Sequence, residues 1–355
     1  MLYKNAPDNE DGDWYLRSHL TDNNKPDGGD DDSGSGDQDD DTYVYRPEAG
    51  SYIANMAVAR SMFDLRLEDR EGHLEDSSLW LRQSGSHTRQ HGVFDQQRTQ
   101  TNTYVVQGGG EIFSAQFSGQ DRFGVGVMFG YGNASSHTDS KLTGFYSKGQ
   151  VDGYNAGLYA TWYQDAQSLN GLYVDSWLQY NWLNASVNGE DLSQENYDIN
   201  GVNASLESGY RIPVYQSANG NVFIAPQAQV IYSGMQADDH TETGGTQVQS
   251  SGTDNISTRL GVKISREGVS DQDKGSDKLF ALYAEANWLY NSKLAGANMD
   301  GEQFDQTGTR NIGEVKLGLE GKLHRHFSLW TNVSQQLGDD GYSDTSGNIG
   351  FKYQF

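Results

Sequence analysis

The chain has 355 residues, a net charge of −24, 35% hydrophobic residues, no cysteine and a mean hydropathy of −0.75. No run of about 18 apolar residues occurs, which excludes a spanning helix; absent thiols exclude disulfide and thiolate chemistry; the acidic balance argues against nucleic-acid binding. Low hydropathy with high charge fits disorder, but 21 Tyr, 13 Phe, 7 Trp and 43 Gly are unlike an unfolded polymer. A membrane β-barrel reconciles these facts, because only alternate residues of its strands face lipid.

Residues 1–20 hold one short apolar piece, Trp14-Tyr15-Leu16-Arg17. Met1-Leu2-Tyr3-Lys4-Asn5 does not read as a signal peptide, so the sequence is expected to be a fragment of a longer precursor. Residues 21–42 are acidic, self-repelling and poor in apolar groups, so they read as an extended linker. The clustered Asp residues there match no calcium loop with a defined ligand cage. Residues 43–76 form the next unit. Pro47 and Glu48 mark a helix start, and Tyr52, Ile53, Met56, Met62, Phe63 and Leu67 recur at helical spacing. No Gly or Pro interrupts Ser51–Glu71, so the pattern predicts one helix near residues 48–71, ended by Gly72. Asn55, Arg60, Asp64 and Arg66 make it moderately polar, and the natural place for such a helix is a polar barrel lumen.

Residues 77–355 then alternate with a period of two. Phe123, Val125, Val127, Phe129 and Tyr131 share one face; so do Leu172, Val174, Leu178, Tyr180 and Trp182, opposite Asp175. Val202, Ala204, Leu206, Tyr210 and Ile212 oppose Glu207. Ile256, Leu260, Val262 and Ile264 oppose Arg259 and Lys263. Phe280, Leu282 and Trp288 oppose Glu285; Val315, Leu317, Leu319 and Leu323 oppose Glu314, Lys316, Glu320 and Lys322. With the segments at 154–162, 222–232 and 327–333, the closing Ile349-Gly350-Phe351-Lys352-Tyr353-Gln354-Phe355, and two early strands near Ser78–Ser84 and Thr101–Gly108, the total is twelve. An even number suits a single-chain bacterial barrel. Long polar connections are expected at Ser135–Gln150, Asn188–Asn196, Gln236–Asp254 and Asn291–Gly308, against brief ones at Tyr163–Asn170 and near His324. Outer-membrane barrels separate long external loops from short periplasmic turns in this way. A soluble β-sandwich would leave one large exposed apolar surface opposite the charges.

The inner face is expected to carry Asp175, Glu207, Arg259, Glu285, Glu314 and Glu320, and to grip the helix through Arg60 and Arg66, whose guanidinium groups need acceptors in a narrow pore. Gly124, Gly126, Gly130 and Gly132 clear one inner stripe, either to admit the helix or to relieve curvature. Trp162, Trp182, Tyr232, Trp288, Tyr290, Phe351 and Phe355 suit interfacial girdles. His324 and His326 lack a third metal ligand. His87, His91, His137 and His240 are scattered, so a hydrolase on a barrel scaffold finds no motif. No cofactor and no metal are expected.

Three motifs carry a family resemblance: Tyr45-Arg46-Pro47-Glu48-Ala49-Gly50-Ser51-Tyr52, Met62-Phe63-Asp64-Leu65-Arg66 and Leu79-Trp80-Leu81-Arg82. With the closing Gly350-Phe351-Lys352-Tyr353-Gln354-Phe355, they resemble the translocator domain of bacterial autotransporters, most of all the AIDA-type adhesins. The resemblance implies a twelve-stranded antiparallel outer-membrane β-barrel with an N-terminal α-helix in its lumen. It implies type V secretion of the chain's own passenger, an adhesin, to the cell surface of a Gram-negative bacterium, and residues 3–17 resemble the last rungs of a passenger β-helix. Implied partners are outer-membrane lipid and lipopolysaccharide, periplasmic chaperones and the barrel-assembly machinery, for which Tyr353 and Phe355 resemble the assembly signal; the barrel is expected to be a monomer. Some autotransporters cut themselves at an Asn-Asn pair within the helix. Here Met56-Ala57 stand where that pair would lie, and Asn23-Asn24 fall in the linker, so neither self-cleavage nor any other enzyme activity is expected. The competing function is a diffusion channel for small solutes.

Overall fold

The structure, a computed structural model, describes residues 2–6, 9–16, 19–20, 42–71, 79–217, 220–269, 278–324 and 326–354. The central linker and Phe355 lie outside the described residues. Near the N-terminus, Leu2–Ala6 pair antiparallel with Asn9–Leu16, and His19–Leu20 pair with Thr42–Tyr43.

Twelve antiparallel strands form a closed ring: β1 Leu79–Gly92, β2 Gln97–Ala115, β3 Arg122–Ser140, β4 Tyr146–Tyr163, β5 Gly171–Gly189, β6 Glu195–Ser217, β7 Gly220–Ser233, β8 Asn255–Gly268, β9 Leu279–Asn291, β10 Asn311–His324, β11 Phe327–Gly338 and β12 Ser343–Tyr353. The last strand closes on the first, in register from Tyr353 opposite Leu79 to Ser343 opposite Arg89. Closure leaves no unpaired edge, which a hydrocarbon environment demands. The apolar face points outward: Leu282 is 56% exposed and Val315 57%, while their neighbours Glu285 and Glu314 are buried. A soluble barrel would show the reverse. Tyr131, Tyr154 and Trp182 stand side by side on β3, β4 and β5, Tyr131 and Tyr154 with ring centroids 5.1 Å apart. They form part of an aromatic girdle.

One expected long loop is largely strand, and a second is trimmed at both ends. Gly132–Ser140 of β3 carry little apolar alternation, yet pair residue by residue with β2 and β4, leaving a turn at 141–145. Likewise β5 and β6 run on to Gly189 and from Glu195. At 19 residues, β3 is about twice the length that crosses a bilayer. Hydrophobic alternation reports only the part of a strand that faces lipid; the polar extension stands in water. The connections 234–254 and 292–310 instead carry short strands. His240–Thr241, Gln247–Ser251, Gly296–Met299 and Glu302–Asp305 form a small sheet over this mouth.

The chain threads the ring. α1 (Glu48–Ser61) starts after Pro47, with Glu48 in its first turn and Arg60 in its last, favourable signs for the helix dipole. Every residue from Glu48 to Met56 is buried. Ile53 and Met56 join Val248, Ala297, Met299 and Phe304 from the loop sheet in one apolar cluster. Burying each large side chain contributes about 1.5–3 kcal/mol. The remaining face of α1, at Ala57, Val58 and Ser61, borders a lumen cavity of about 370 Å³.

The single helix expected over 48–71 is two helices. α1 ends at Ser61, and α2 covers Leu67–Glu71. Between them the carbonyls of Phe63, Asp64 and Leu65 accept hydrogen bonds from wall side chains. Partners distant in sequence replace the i+4 amides, so the break needs neither Gly nor Pro.

Candidate functional site

The lumen contact begins at the long-loop rim. Tyr45 N donates to Gln96 Oε1 (3.1 Å), and Arg46 Nη1 donates to Glu242 Oε2 (2.9 Å). Tyr52 Oη donates to Glu242 Oε1 at 3.1 Å. Asn55 Nδ2 donates to the Ser186 carbonyl (3.0 Å) and to Tyr197 Oη (2.9 Å). α1 approaches β4 closely because Gly149 has no side chain; a Cβ there would stand 2.6 Å from Asn55 Oδ1 and 3.2 Å from the Ser51 carbonyl. Of the β3 glycines, Gly132 faces Met62 and Phe63, whereas Gly124, Gly126 and Gly130 face side chains of the wall. The stripe therefore serves the threaded segment at one position and wall packing at three.

Charge concentrates around α2. Arg66 is held between Glu314, at 2.8 Å, and Glu285, at 3.6 Å. Glu314 also accepts from Asn287 Nδ2 (2.9 Å) and Gln336 Nε2 (2.8 Å). Arg70 donates to Asp175 Oδ1 (2.6 Å) and Thr161 Oγ1 (2.8 Å), with its guanidinium 3.9 Å from the Tyr159 ring centre. Lys316 of β10 meets Glu68 at 2.7 Å and Asp69 at 3.4 Å, and Lys263 of β8 meets Glu68 at 3.3 Å. Glu207 Oε2 accepts the amide of Leu67 (3.2 Å), and Asp69 Oδ2 accepts the amide of Arg66 (3.3 Å). Carboxylates from the wall and from the helix itself thus cap the first turn of α2.

Arg66 therefore meets lumen carboxylates, but Arg60 donates to the Lys293 carbonyl at 2.8 Å, because it sits at the level of the loops rather than of the charged wall. Asp64 contributes its main chain, its carbonyl accepting from Arg82 Nη2 at 3.1 Å. Arg259 reaches Glu207 (3.2 Å) and Gln229 (3.1 Å) along the wall. Glu320 lies 3.6 Å from Lys352. Tyr353 stands half-exposed on the outer face where β12 meets β1 and β11. His326 Nδ1 lies 2.9 Å from the Gln354 carbonyl, and among the described residues no group of three metal-ligating side chains occurs.

Sequence reasoning did not single out Glu68, Asp69 and Arg70 as a site; it read Asp69 and Arg70 only as part of the polarity of one lumen helix. It also missed the inward Trp80, Trp177 and Trp330, which pack with Leu65, Met128 and Tyr159. Their signal was available: Trp80 shares a strand face with Arg82, and Trp177 with Asp175 and Gln179.

The family model described as Autotransporter beta-domain matches residues 79–334. The chain is 44% identical over 325 residues to the uncharacterized protein YuaQ of Escherichia coli K12, covering 87% of this chain and 24% of that protein. It is 35% identical over 355 residues to the autotransporter adhesin AIDA-I of Escherichia coli, covering 96% of this chain and 26% of that protein. It thus spans about a quarter of the length of each relative. The crystal structure of the transport unit of AIDA-I is similar at a TM-score of 0.81 and 36% identity, with 88% of this chain and all of that chain covered. With a family match running from the first barrel strand into the eleventh, the chain belongs to the autotransporter β-domain family.

Proposed function

We propose that the chain is the outer-membrane translocator of a longer autotransporter, exporting and then anchoring its own N-terminal passenger at the surface of a Gram-negative bacterium. One observation carries this reading. The main chain enters at the long-loop rim, where Arg46 meets Glu242, and runs through the pore to Arg70 and Asp175. On this reading whatever precedes residue 44 is outside the cell, and the exporting segment stays in the lumen. Passenger folding on the outside is the source of drive, since no phosphate-binding loop motif is present in the sequence. The passenger is read as an adhesin, a role taken from the name of AIDA-I, and residues 1–20 as its end. Assembly through periplasmic chaperones and the barrel-assembly machinery, contact with lipopolysaccharide, and a monomeric state belong to the same reading.

The assignment is non-enzymatic. Self-cleavage is not assigned: Asn55 is followed by Met56, and its amide nitrogen is engaged by Ser186 and Tyr197. The diffusion-channel alternative is disfavoured because α1, α2 and the residues between them occupy the lumen and are ion-paired to its wall through Arg66 and Arg70.

Planar bilayers test the reading. The intact chain is expected to conduct weakly, and deletion of residues 44–71 to raise conductance several-fold. An intact chain as conductive as the deletion would refute the occupied pore, and wild-type chain in cells that fails to deliver its passenger to the surface would refute export.

A further inference from the structure

Around the break between α1 and α2, the wall donates hydrogen bonds to the main chain, while the Leu65 side chain packs among the inward tryptophans. Gln179 Nε2 donates to the Phe63 carbonyl (3.1 Å), Arg82 Nη2 to that of Asp64 (3.1 Å), and Trp177 Nε1 (3.0 Å) and Gln229 Nε2 (2.8 Å) to that of Leu65. Gln107 Nε2 reaches the Phe63 carbonyl at 3.5 Å, and Asn203 Nδ2 donates to that of Arg60 at 3.1 Å. These six donors come from β1, β2, β5, β6 and β7.

Wall side chains hold the glutamine oxygens. Gln107 Oε1 accepts from Arg82 Nε at 3.0 Å, and Gln229 Oε1 accepts from Arg259 Nε at 3.1 Å. A guanidinium only donates, so it fixes the amide oxygen against the wall and leaves the NH2 facing inward. Gln179 Oε1 accepts from Asn155 Nδ2 at 2.7 Å, with the same result. All three glutamines are buried, and an inward NH2 without an acceptor there costs free energy. A helix interior offers such donors nothing, since its carbonyls are bonded internally; only its last turn, as at Arg60, leaves carbonyls free. Unwound backbone does so throughout.

We propose that this amide collar is a binding site for non-helical polypeptide main chain, and that it seats the chain at Phe63–Leu65. The inference rests on the translocator reading and adds the ligand chemistry: every residue passing through presents the same carbonyl. Seating occurs where the chain enters the collar unwound, with α1 filling the wider mouth behind it.

The test compares opening frequency in planar bilayers for the full chain and single variants. Gln179→Met and Gln229→Met keep volume and lose the donor; each is expected to open about tenfold more often, the effect of one or two lost hydrogen bonds. Leu317→Met, on the outward face of β10, substitutes at nearly constant volume and is expected to match the parent. Where a methionine variant does not assemble, Gln179→Glu and Gln229→Glu repeat the comparison, again without a donor. Donor variants as closed as the parent, or a Leu317→Met chain as open as they are, overturn the collar and leave the translocator reading standing. A parent as conductive as the 44–71 deletion overturns the occupied pore itself.

Discussion

Replacing Arg70 by methionine should unseat α2 from the wall. Arg70 is fully buried, and its guanidinium bonds Asp175 and Thr161 over the Tyr159 ring. Methionine fills most of the volume and leaves the Asp175 carboxylate, 1% exposed, without this cation. Removing one member of a buried pair costs about 3–5 kcal/mol. A cost of about 4 kcal/mol shifts the equilibrium between seated and unseated segments roughly a thousandfold. The double variant Arg70→Met/Asp175→Leu removes both charges and should recover most of that loss, because an apolar pair of similar volume is often neutral. Amide exchange across residues 66–70 and single-channel opening frequency both read the equilibrium. The reasoning fails if the single variant lies within tenfold of the parent, or if the double variant is as unseated as the single.

Gly149→Leu should overpack the α1–β4 contact by about 1–3 kcal/mol, seen as lost amide protection in α1 while the ring stays closed; unchanged protection would show that α1 is not confined there. Asp121, in the turn between β2 and β3, accepts hydrogen bonds from the Trp162 indole at 3.0 Å and from the Ser118 amide at 2.6 Å, which hold its carboxyl well below the usual carboxylate range. A depressed folded pKa stabilises the turn above the unfolded value, near 3.9, and that stability is lost as pH falls through the folded value. Trp162 fluorescence should therefore change only in acid below about pH 4, and Asp121→Asn should abolish the transition; a transition that persists in Asp121→Asn assigns it to another group. Removing Phe355 should reduce the amount of heat-modifiable barrel in outer membranes without altering residues 1–20, and normal assembly of that variant would sink the proposed assembly signal.

Much of this protein was legible in its sequence because the relevant physics is local. A strand repeats every two residues, and lipid demands apolar groups on one side alone, so Val315, Leu317 and Leu319 against Glu314, Lys316 and Glu320 specify both faces without reference to neighbours. Twelve such segments, the last ending in aromatics, define the ring and its closing strand. Strand length escaped, since Gly132–Ser140 stand above the lipid, where no apolar alternation is required. The break at Phe63–Leu65 escaped for a deeper reason. Nothing in Met62-Phe63-Asp64-Leu65-Arg66 disfavours a helix; Gln179, Arg82, Trp177 and Gln229, brought near by closure of the ring, take the carbonyls. The pairing of Arg66 with Glu314 and of Arg70 with Asp175 follows from the same closure. The sequence by itself determined which residues face lipid and which face the pore; only the tertiary structure decided which lumen groups meet, because partners such as Arg66 and Glu314 or Arg70 and Asp175 lie 248 and 105 positions apart and adjoin only once the ring has closed around the chain.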